Sequence, residues 1–162
     1  MRTAGFATAR RIALLLPLAL IGGALAFQFV GNLVPCEMCM WQRWPHYAAI
    51  VVAALAFVTP NRVAQVMLVS LACLLIAASG AIGVFHAGVE YHWWNGITPC
   101  TAHLAAGSSG LDMIDQIQRG PLVRCDAPQW SLFNISLAGF NAIFSLAGAA
   151  SIFVLAARNP RG

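Results

Sequence analysis

Four long apolar segments constrain this chain more than any other feature of its sequence. Each has roughly the 20 residues that a helix needs to cross the hydrocarbon core of a bilayer. They cover residues 12–34, 40–58, 63–89 and 130–157. Only 9% of the residues are charged, against about 25% in soluble domains. The sequence therefore predicts one all-α integral membrane domain over residues 1–162, built as a bundle of four transmembrane helices.

Arginine is the only strong base in the sequence, and its distribution predicts the orientation of the bundle. Most of the arginines lie near the termini or in the turn between the second and third segments; these are Arg2, Arg10, Arg11, Arg62, Arg158 and Arg161. By the positive-inside rule, both termini and this turn are cytoplasmic. The other two connections hold or flank all the acids and contain four of the five cysteines. They are expected to face the opposite, oxidising side, where disulfides persist.

The first apolar segment also resembles a secretory signal, because it follows a basic start and contains the small-residue pattern Ala24-Leu25-Ala26. Cleavage after this pattern would remove the segment from the mature protein. We favour retention, since the apolar run continues to Val34 and reaches a length suited to spanning.

A C-x-x-C pair, Cys36 and Cys39, stands directly before the second apolar segment. Pro35 before it suits the start of a helix. In a helix that begins near Cys36, residues 36, 39 and 43 share one face, so the two cysteines can form a disulfide with Arg43 beside Cys39. The first turn of a helix presents free N–H groups and the positive end of the helix dipole. Together with the arginine, these favour a thiolate and predict a reactive dithiol at the membrane surface.

The long loop 90–129 contains a second cysteine pair, Cys100 and Cys125. Between the two, apolar residues at helical spacing predict a short amphipathic helix over 109–119 that lies on the outer membrane surface. A cysteine pair in an extracellular loop is usually a structural disulfide. Because a C-x-x-C dithiol faces the same side, we favour an exchangeable disulfide that passes electrons to that dithiol.

Polar residues in or next to the third and fourth segments are further candidates. Three ionisable residues stand at the outer end of the third segment: His86, Glu90 and His92. They either bind a redox cofactor or handle protons, or they lie among the lipid headgroups. Asn134 and Asn141 are interpreted as hydrogen-bond partners between helices. Cys73, in the middle of the third segment, is interpreted as a small buried hydrophobic residue.

These features resemble the disulfide bond formation protein B (DsbB) family of bacterial inner-membrane enzymes. The resemblance rests on the C-x-x-C pair followed by Gln42-Arg43, on the four apolar segments, and on a loop pair that ends in Cys125 with Trp130 shortly after it. The family reoxidises a DsbA-like thioredoxin-fold protein of the periplasm with membrane quinone. The resemblance therefore implies a protein-dithiol:quinone oxidoreductase with periplasmic cysteine pairs, with ubiquinone or menaquinone as cofactor and no metal.

The resemblance also implies a role for each candidate residue. Cys100 would form the mixed disulfide with the partner protein, and Cys125 would be its mate. Cys36 would exchange with this loop pair, and Cys39 would be the thiolate next to the quinone. Arg43 would bind the quinone and stabilise its negative charge. The remaining candidates for quinone binding are His86, Glu90, His92 and Trp130.

Other functions fit the sequence less well. A zinc site of all four outer cysteines would need closer spacing in the loop pair, and a structural bundle would keep its disulfides inert. A vitamin K epoxide reductase-like enzyme would have its loop cysteines before the C-x-x-C pair, which is the opposite order. Nucleic-acid binding is not expected, because no run of basic residues is interleaved with aromatic residues.

Overall fold

The computed structural model describes residues 2–98, 100 and 123–158, and in this part of the chain it is a bundle of long helices. The helices are α1 (Arg2–Phe29), α2 (Glu37–Val58), α3 (Arg62–Glu90) and α4 (Leu137–Ala157). A two-stranded antiparallel hairpin, β1 (Ser131–Leu132) and β2 (Ile135–Ser136), precedes α4. The amphipathic helix predicted over 109–119 lies outside the described residues.

Within the described ranges, three helices are long and apolar enough to cross a membrane: Gly5–Phe29 of α1, all of α3 and all of α4. The second helix, α2, is not among them. Its first half carries Gln42, Arg43 and His46, so its continuous apolar run is short for a span. The prediction of four spanning helices is therefore confirmed for three helices, and for α2 it stays a prediction.

The first helix ends at Phe29, five residues before the predicted end of the apolar segment at 34. The chain leaves the helix through Gly31, whose N–H donates to Ala26 O over 3.2 Å, and Asn32, which has a left-handed φ of 54°. This is the usual way to close the last turn of a helix. A Cβ on Gly31 would lie 2.6 Å from Phe27 O, so a residue without a side chain is needed there. The apolar residues after the turn therefore lead to the dithiol outside α1.

The fourth helix begins at Leu137, whereas the apolar segment predicted a start at 130. The residues between form the hairpin, whose turn places Phe133 and Asn134 at positive φ, as two-residue hairpin turns require. Asn134 therefore lies in a turn and does not project from a helix. Ser136 then caps α4 by accepting a hydrogen bond from Gly139 N–H over 3.1 Å.

Small residues allow α3 to pack closely on its neighbours. A Cβ on Gly83 would lie 3.0 Å from both Ala138 O and Ala142 N of α4. Towards the turn between α2 and α3, the core is a cluster rich in alanine that includes Ala53 and Ala72. A second buried cluster, at the other end of the bundle, contains Cys36, Cys100 and Cys125, with Cys39 packed against it.

Candidate functional site

Cys36 caps the N-terminus of α2 with its sulfur atom. Its backbone is extended, with φ −75° and ψ 172°, and its Sγ accepts a hydrogen bond from the Cys39 N–H over 3.2 Å. A side chain in this position stands at the positive end of the helix dipole, where negative charge is stabilised. The Cys36 sulfur therefore lies where the helix dipole and an N–H group of the first turn stabilise negative charge, as a helix start near Cys36 predicts.

Cys36 and Cys39 are both free thiols in this structure. A hydrogen bond between the two thiols lowers the pKa of Cys39 and raises the pKa of Cys36. Such a pair titrates as a unit, because the proton that remains is shared between the sulfurs. It gives up one proton readily and keeps the other, with the negative charge favoured on Cys39.

His86 of α3 approaches the Cys36 sulfur from the side. It is only 2% exposed, and its Nε2 lies 3.6 Å from Cys36 Sγ. Glu90, one turn further along α3, places Oε1 3.8 Å from the same nitrogen. The second carboxylate oxygen, Oε2, has no hydrogen-bond partner among the described residues. The structure thus brings two of the three ionisable candidates of the third segment to the dithiol.

A buried network of amide side chains surrounds His86. Gln42 Nε2 lies 2.8 Å from His86 Nδ1 and donates to Met38 O over 3.2 Å. Asn141 of α4 donates from Nδ2 to Gln42 Oε1 over 2.8 Å and to Ser79 O of α3 over 3.2 Å. Asn141 therefore joins three helices, which agrees with its interpretation as a partner between helices.

Arg43 extends from α2 towards α1. Its Nη1 donates to Gln28 Oε1 over 2.5 Å, and its Nη2 donates to Ala24 O over 3.3 Å. The charge of the guanidinium acts on Cys39 and helps to lower the pKa of that thiol, after the larger effect of the Cys36 hydrogen bond. The helical spacing that predicted Arg43 beside Cys39 agrees with this position.

A cavity of 390 Å³ opens beside the dithiol, lined by residues of all four helices and of the chain that leads into the hairpin. Its polar lining includes Cys36, Cys39, Gln42, Arg43, His86 and Glu90. Most of the remaining wall is apolar, including Leu20 and Phe144. Trp130 also lines it, with its ring packed between Phe27 and Phe140 at centroid distances of 4.9 and 6.2 Å. The volume lies in the range of small-molecule sites, about 300–1,000 Å³.

Cys100 and Cys125 form a disulfide whose Cα atoms are 5.3 Å apart. Both residues are buried, and they belong to the same apolar cluster as Cys36 and Val89. The Cys125 N–H also donates to Cys100 O over 3.0 Å. The two cysteine pairs, which are far apart in the sequence, therefore meet at one end of the bundle.

The chain between Cys125 and the hairpin is tied to the rest of the site. Gln129 Nε2 donates to Val34 O over 2.8 Å, next to the start of α2. Arg124, which reaches the cavity, donates two hydrogen bonds of 2.8 Å to the carboxylate of Asp126. These hydrogen bonds lower the pKa of Asp126, so its carboxylate stays ionised beside the arginine at neutral pH.

One predicted site residue lies apart from the others. His92 follows the end of α3, is exposed and has a left-handed φ of 58°. It is not among the residues that line the cavity. Of the three ionisable residues at the end of the third segment, His86 and Glu90 thus line the cavity and His92 does not.

Two residues that make important contacts were not among the predicted site residues. The sequence prediction includes Gln42 only as a residue that follows the C-x-x-C pair, and it does not include Gln28. Both are uncharged polar residues within apolar segments, which is a signal for a buried hydrogen bond. The sequence could have drawn attention to them for this reason, but not to their partners, which come from other helices.

The donor atoms at the dithiol also bear on metal binding. One ligand atom each from Cys36, Cys39 and His86 lie within 4.8 Å of one another. The zinc site considered from the sequence needed four thiolates, but Cys100 and Cys125 are joined in a disulfide here and cannot supply them. That form of the metal hypothesis does not fit the structure.

Comparison with known proteins gives one finding. The family described as Disulfide bond formation protein DsbB matches residues 7–155, which is nearly the whole chain. No curated protein and no solved structure matches the chain.

Proposed function

The chain belongs to the DsbB family and is thus a membrane protein of disulfide formation with thiol–disulfide oxidoreductase activity; from this premise we propose that it reoxidises a DsbA-like thioredoxin-fold protein with membrane quinone. One observation carries the proposal. The Cys100–Cys125 disulfide and the free thiol of Cys36 belong to one buried cluster, against which the free thiol of Cys39 packs, beside a cavity with mostly apolar walls. An oxidised pair, a reduced pair and room for an apolar acceptor are what such a reaction needs.

The proposed electron path has two exchanges between thiols and disulfides. In the first, a thiolate of the partner attacks Cys100, and a second partner thiolate then releases it, which leaves the partner oxidised and the Cys100–Cys125 pair reduced. In the second, a loop thiolate attacks Cys36 of a Cys36–Cys39 disulfide and expels Cys39 as a thiolate. The other loop thiolate then attacks the loop sulfur of this mixed disulfide and expels Cys36. Each exchange moves two electrons and conserves the number of disulfides.

The cavity beside Cys39 fits a quinone head group in size and chemistry. Its walls are mostly apolar, as a lipid-soluble ring requires, and its polar wall holds a thiol of lowered pKa and the Arg43 cation. A bound quinone would accept two electrons and two protons. Cys39, Cys36 and Arg43 are the residues that would face it, and ubiquinone and menaquinone both suit such a site.

Arg43 is proposed to hold positive charge at the place where negative charge develops. Its two hydrogen bonds to α1 fix the guanidinium before any ligand arrives. A fixed donor avoids the cost of reorganisation during the reaction. The same residue favours the Cys39 thiolate, so it would act on the electron donor and on the electron acceptor.

The location proposed for the protein is the bacterial inner membrane, with several spans, both termini in the cytoplasm and both cysteine pairs in the periplasm. The distribution of arginines supports this orientation. A disulfide at Cys100–Cys125 also suits the oxidising side of the membrane.

The decisive experiment is anaerobic mixing of the purified protein with a reduced thioredoxin-fold oxidant and either ubiquinone or menaquinone. We expect one quinone to be reduced for every disulfide formed in the oxidant, followed by absorbance and by thiol counting. An inert, structural disulfide would leave the quinone oxidised and the oxidant reduced, and that result would refute the proposal. Metal analysis of the same sample tests the zinc alternative.

A further inference from the structure

We propose that Gln42 and Asn141 fix His86 as the tautomer with its proton on Nε2, so that His86 donates a hydrogen bond to the Cys36 sulfur and stabilises it as a departing thiolate. The inference deepens the proposed function and rests on it, since it assigns positioning residues to the exchange step at Cys36.

The orientation of the Asn141 amide is set by a backbone carbonyl. Asn141 Nδ2 lies 3.2 Å from Ser79 O, which can only accept a hydrogen bond. The nitrogen of the amide must therefore face Ser79, and the same nitrogen lies 2.8 Å from Gln42 Oε1. Its oxygen, Oδ1, accepts from Ser145 Oγ over 3.0 Å.

The orientation of the Gln42 amide is set twice. Its Oε1 accepts from Asn141, and its Nε2 donates to Met38 O over 3.2 Å. The nitrogen of Gln42 is thus the atom that lies 2.8 Å from His86 Nδ1. An amide nitrogen can only donate, so Nδ1 must be the accepting nitrogen of the imidazole. A ring that accepts at Nδ1 is neutral and carries its proton on Nε2.

The Nε2–H of His86 then has Cys36 Sγ as its hydrogen-bond partner, 3.6 Å away, while Glu90 Oε1 lies 3.8 Å from the same nitrogen. The same sulfur accepts the Cys39 N–H over 3.2 Å, so two donors converge on Cys36. His86 is 2% exposed and Cys36 is 3% exposed. In a site shielded from water, hydrogen bonds to a charged sulfur are stronger than in solution.

The stabilisation acts at one step of the proposed exchange. When the second loop thiolate attacks the mixed disulfide, a new sulfur–sulfur bond forms within the loop pair and the bond to Cys36 breaks. The electron pair of the broken bond stays on Cys36, which leaves as a thiolate. A thiol of lower pKa is a faster leaving group. A hydrogen bond from His86 Nε2–H stabilises the Cys36 thiolate and so lowers the pKa of the Cys36 thiol. No oxidant is needed for this step.

The same network disfavours a metal ion at Cys36, Cys39 and His86. A histidine that ligates through one nitrogen usually donates the proton of its other nitrogen to an acceptor. Here the other nitrogen, Nδ1, faces the N–H of Gln42. A metal at Nε2 would require Nδ1 to carry a proton against that donor.

Several other groups influence the ionisation of Cys36 and must be controlled. Cys39, Arg43 and His46 line the cavity from α2, and Glu90 lines it from α3. Arg124 reaches the cavity from the segment before the hairpin. The polar side chain that α1 contributes to the cavity is Gln28, which is uncharged. Replacing Glu90 by Gln separates the effect of its charge from that of the His86 hydrogen bond.

The first test measures the tautomer directly. Long-range ¹H–¹⁵N correlation spectra of the full-length reduced protein in nanodiscs, labelled with ¹⁵N-histidine, distinguish a protonated Nε2 from a protonated Nδ1. The His86 signals are assigned with the His86→Gln variant. We expect the Nε2–H form in the wild type and loss of that preference in Gln42→Met and Asn141→Leu. A wild-type His86 protonated on Nδ1 overturns the proposal, whatever the variants do.

The second test measures Cys36 as a thiolate. In a protein with Cys39→Ala, Cys73→Ser, Cys100→Ser and Cys125→Ser, Cys36 is the remaining thiol, and its alkylation rate is followed against pH. We expect Gln42→Met to move the pH profile up by roughly one unit, which is about a tenfold loss of thiolate below the midpoint. His86→Gln, which keeps an N–H donor, is expected to shift the profile less than His86→Leu. Gln65→Met, at the other end of α3, removes a glutamine that donates to Thr59 O and should leave the profile unchanged.

A Gln42→Met profile equal to that of Gln65→Met also overturns the proposal. Neither measurement uses quinone or the partner protein. Failure of the tautomer test with normal quinone reduction would therefore refute this inference without affecting the proposed function. Failure of quinone reduction with the expected tautomer would refute the proposed function.

Discussion

Arg43 Nη1 lies 2.5 Å from Gln28 Oε1 and donates a hydrogen bond that joins α2 to α1 across the wall of the cavity. The backbone carbonyl of Ala24 accepts from Nη2, so both ends of the guanidinium fork are held. A lysine has no planar fork and cannot reproduce this arrangement. The position of the cation relative to Cys39 therefore depends on α1 as well as on the helix that carries it.

Replacing Arg43 by Ala is expected to lower quinone turnover by about 100-fold, because a fixed donor is lost where negative charge develops. Affinity for the thioredoxin-fold partner should change little, since the loop disulfide is untouched. Steady-state quinone reduction and a partner-binding assay measure the two effects. Arg158→Ala, at the exposed end of α4, is the matched control. Unchanged quinone kinetics in Arg43→Ala would exclude the proposed role.

Gln28→Leu should have a smaller effect of the same kind, about tenfold on quinone turnover, because the guanidinium keeps its charge but loses a strong hydrogen bond. In the Arg43→Ala background the same substitution should add almost nothing, since its partner is already absent. The four proteins form a double-mutant cycle measured by quinone reduction. Fully additive effects would show that Gln28 does not act through Arg43.

The thiol of Cys39 should ionise at a lower pH in the presence of Cys36 than in its absence. The hydrogen bond with Cys36 is the main cause of its lowered pKa, so Cys36→Ala should raise that pKa towards its ordinary value. A lowered pKa means that the thiolate persists to lower pH and is lost as the pH falls through it. Alkylation of residue 39 against pH, followed by mass spectrometry with Cys73→Ser as the reference background, measures the shift. Equal midpoints with and without Cys36 would contradict it.

The number of turnovers distinguishes an electron relay from two independent disulfides. Cys39→Ser should oxidise at most one equivalent of reduced partner, at the expense of the Cys100–Cys125 disulfide, and then stop even with excess quinone. Cys100→Ser should oxidise none. Cys73→Ser should turn over normally, because this thiol lies inside α3 and donates to Ala149 O over 3.3 Å. Repeated turnover by Cys39→Ser would rule out the relay.

The sequence predicted the helical bundle well, because the length of each apolar segment can be read along the chain without knowledge of how the helices pack. Three apolar segments correspond to helices that can span a membrane, and the helix at the dithiol begins beside Cys36. The ends were predicted less well. Gly31 and Asn32 end α1 before the apolar segment ends, so hydropathy placed the end of α1 too late. A hairpin that contains apolar residues precedes α4, so hydropathy placed the start of α4 too early.

The site was predictable only in part, because its chemistry comes from different helices. Spacing within one helix correctly placed Cys36, Cys39 and Arg43 together. No pattern along the chain could show that His86 would meet Cys36 or that Gln28 would meet Arg43, since these contacts depend on how the helices pack. The family resemblance assigned roles to the cysteines, but the amide network around Gln42 emerged from the structure.

Close packing of α3 on α4 predicts a specific stability effect at Gly83. A Cβ there would lie 3.0 Å from two backbone atoms of α4, which cannot move as a flexible side chain does. Gly83→Ala is therefore expected to destabilise the protein by about 1–3 kcal/mol and to lower its melting temperature in detergent. Gly22→Ala is the matched control, because a Cβ at Gly22 has no neighbour within 4 Å, and it should be neutral or stabilising by up to about 1 kcal/mol. Equal melting temperatures for the two variants would mean that α3 and α4 do not approach as closely as these contacts require.

The same substitution should also affect activity. Asn141 lies on the same face of α4, with its Nδ2 3.1 Å from the position of the added Cβ. Gly83→Ala should therefore disturb the Asn141–Gln42 hydrogen bond and reduce quinone turnover.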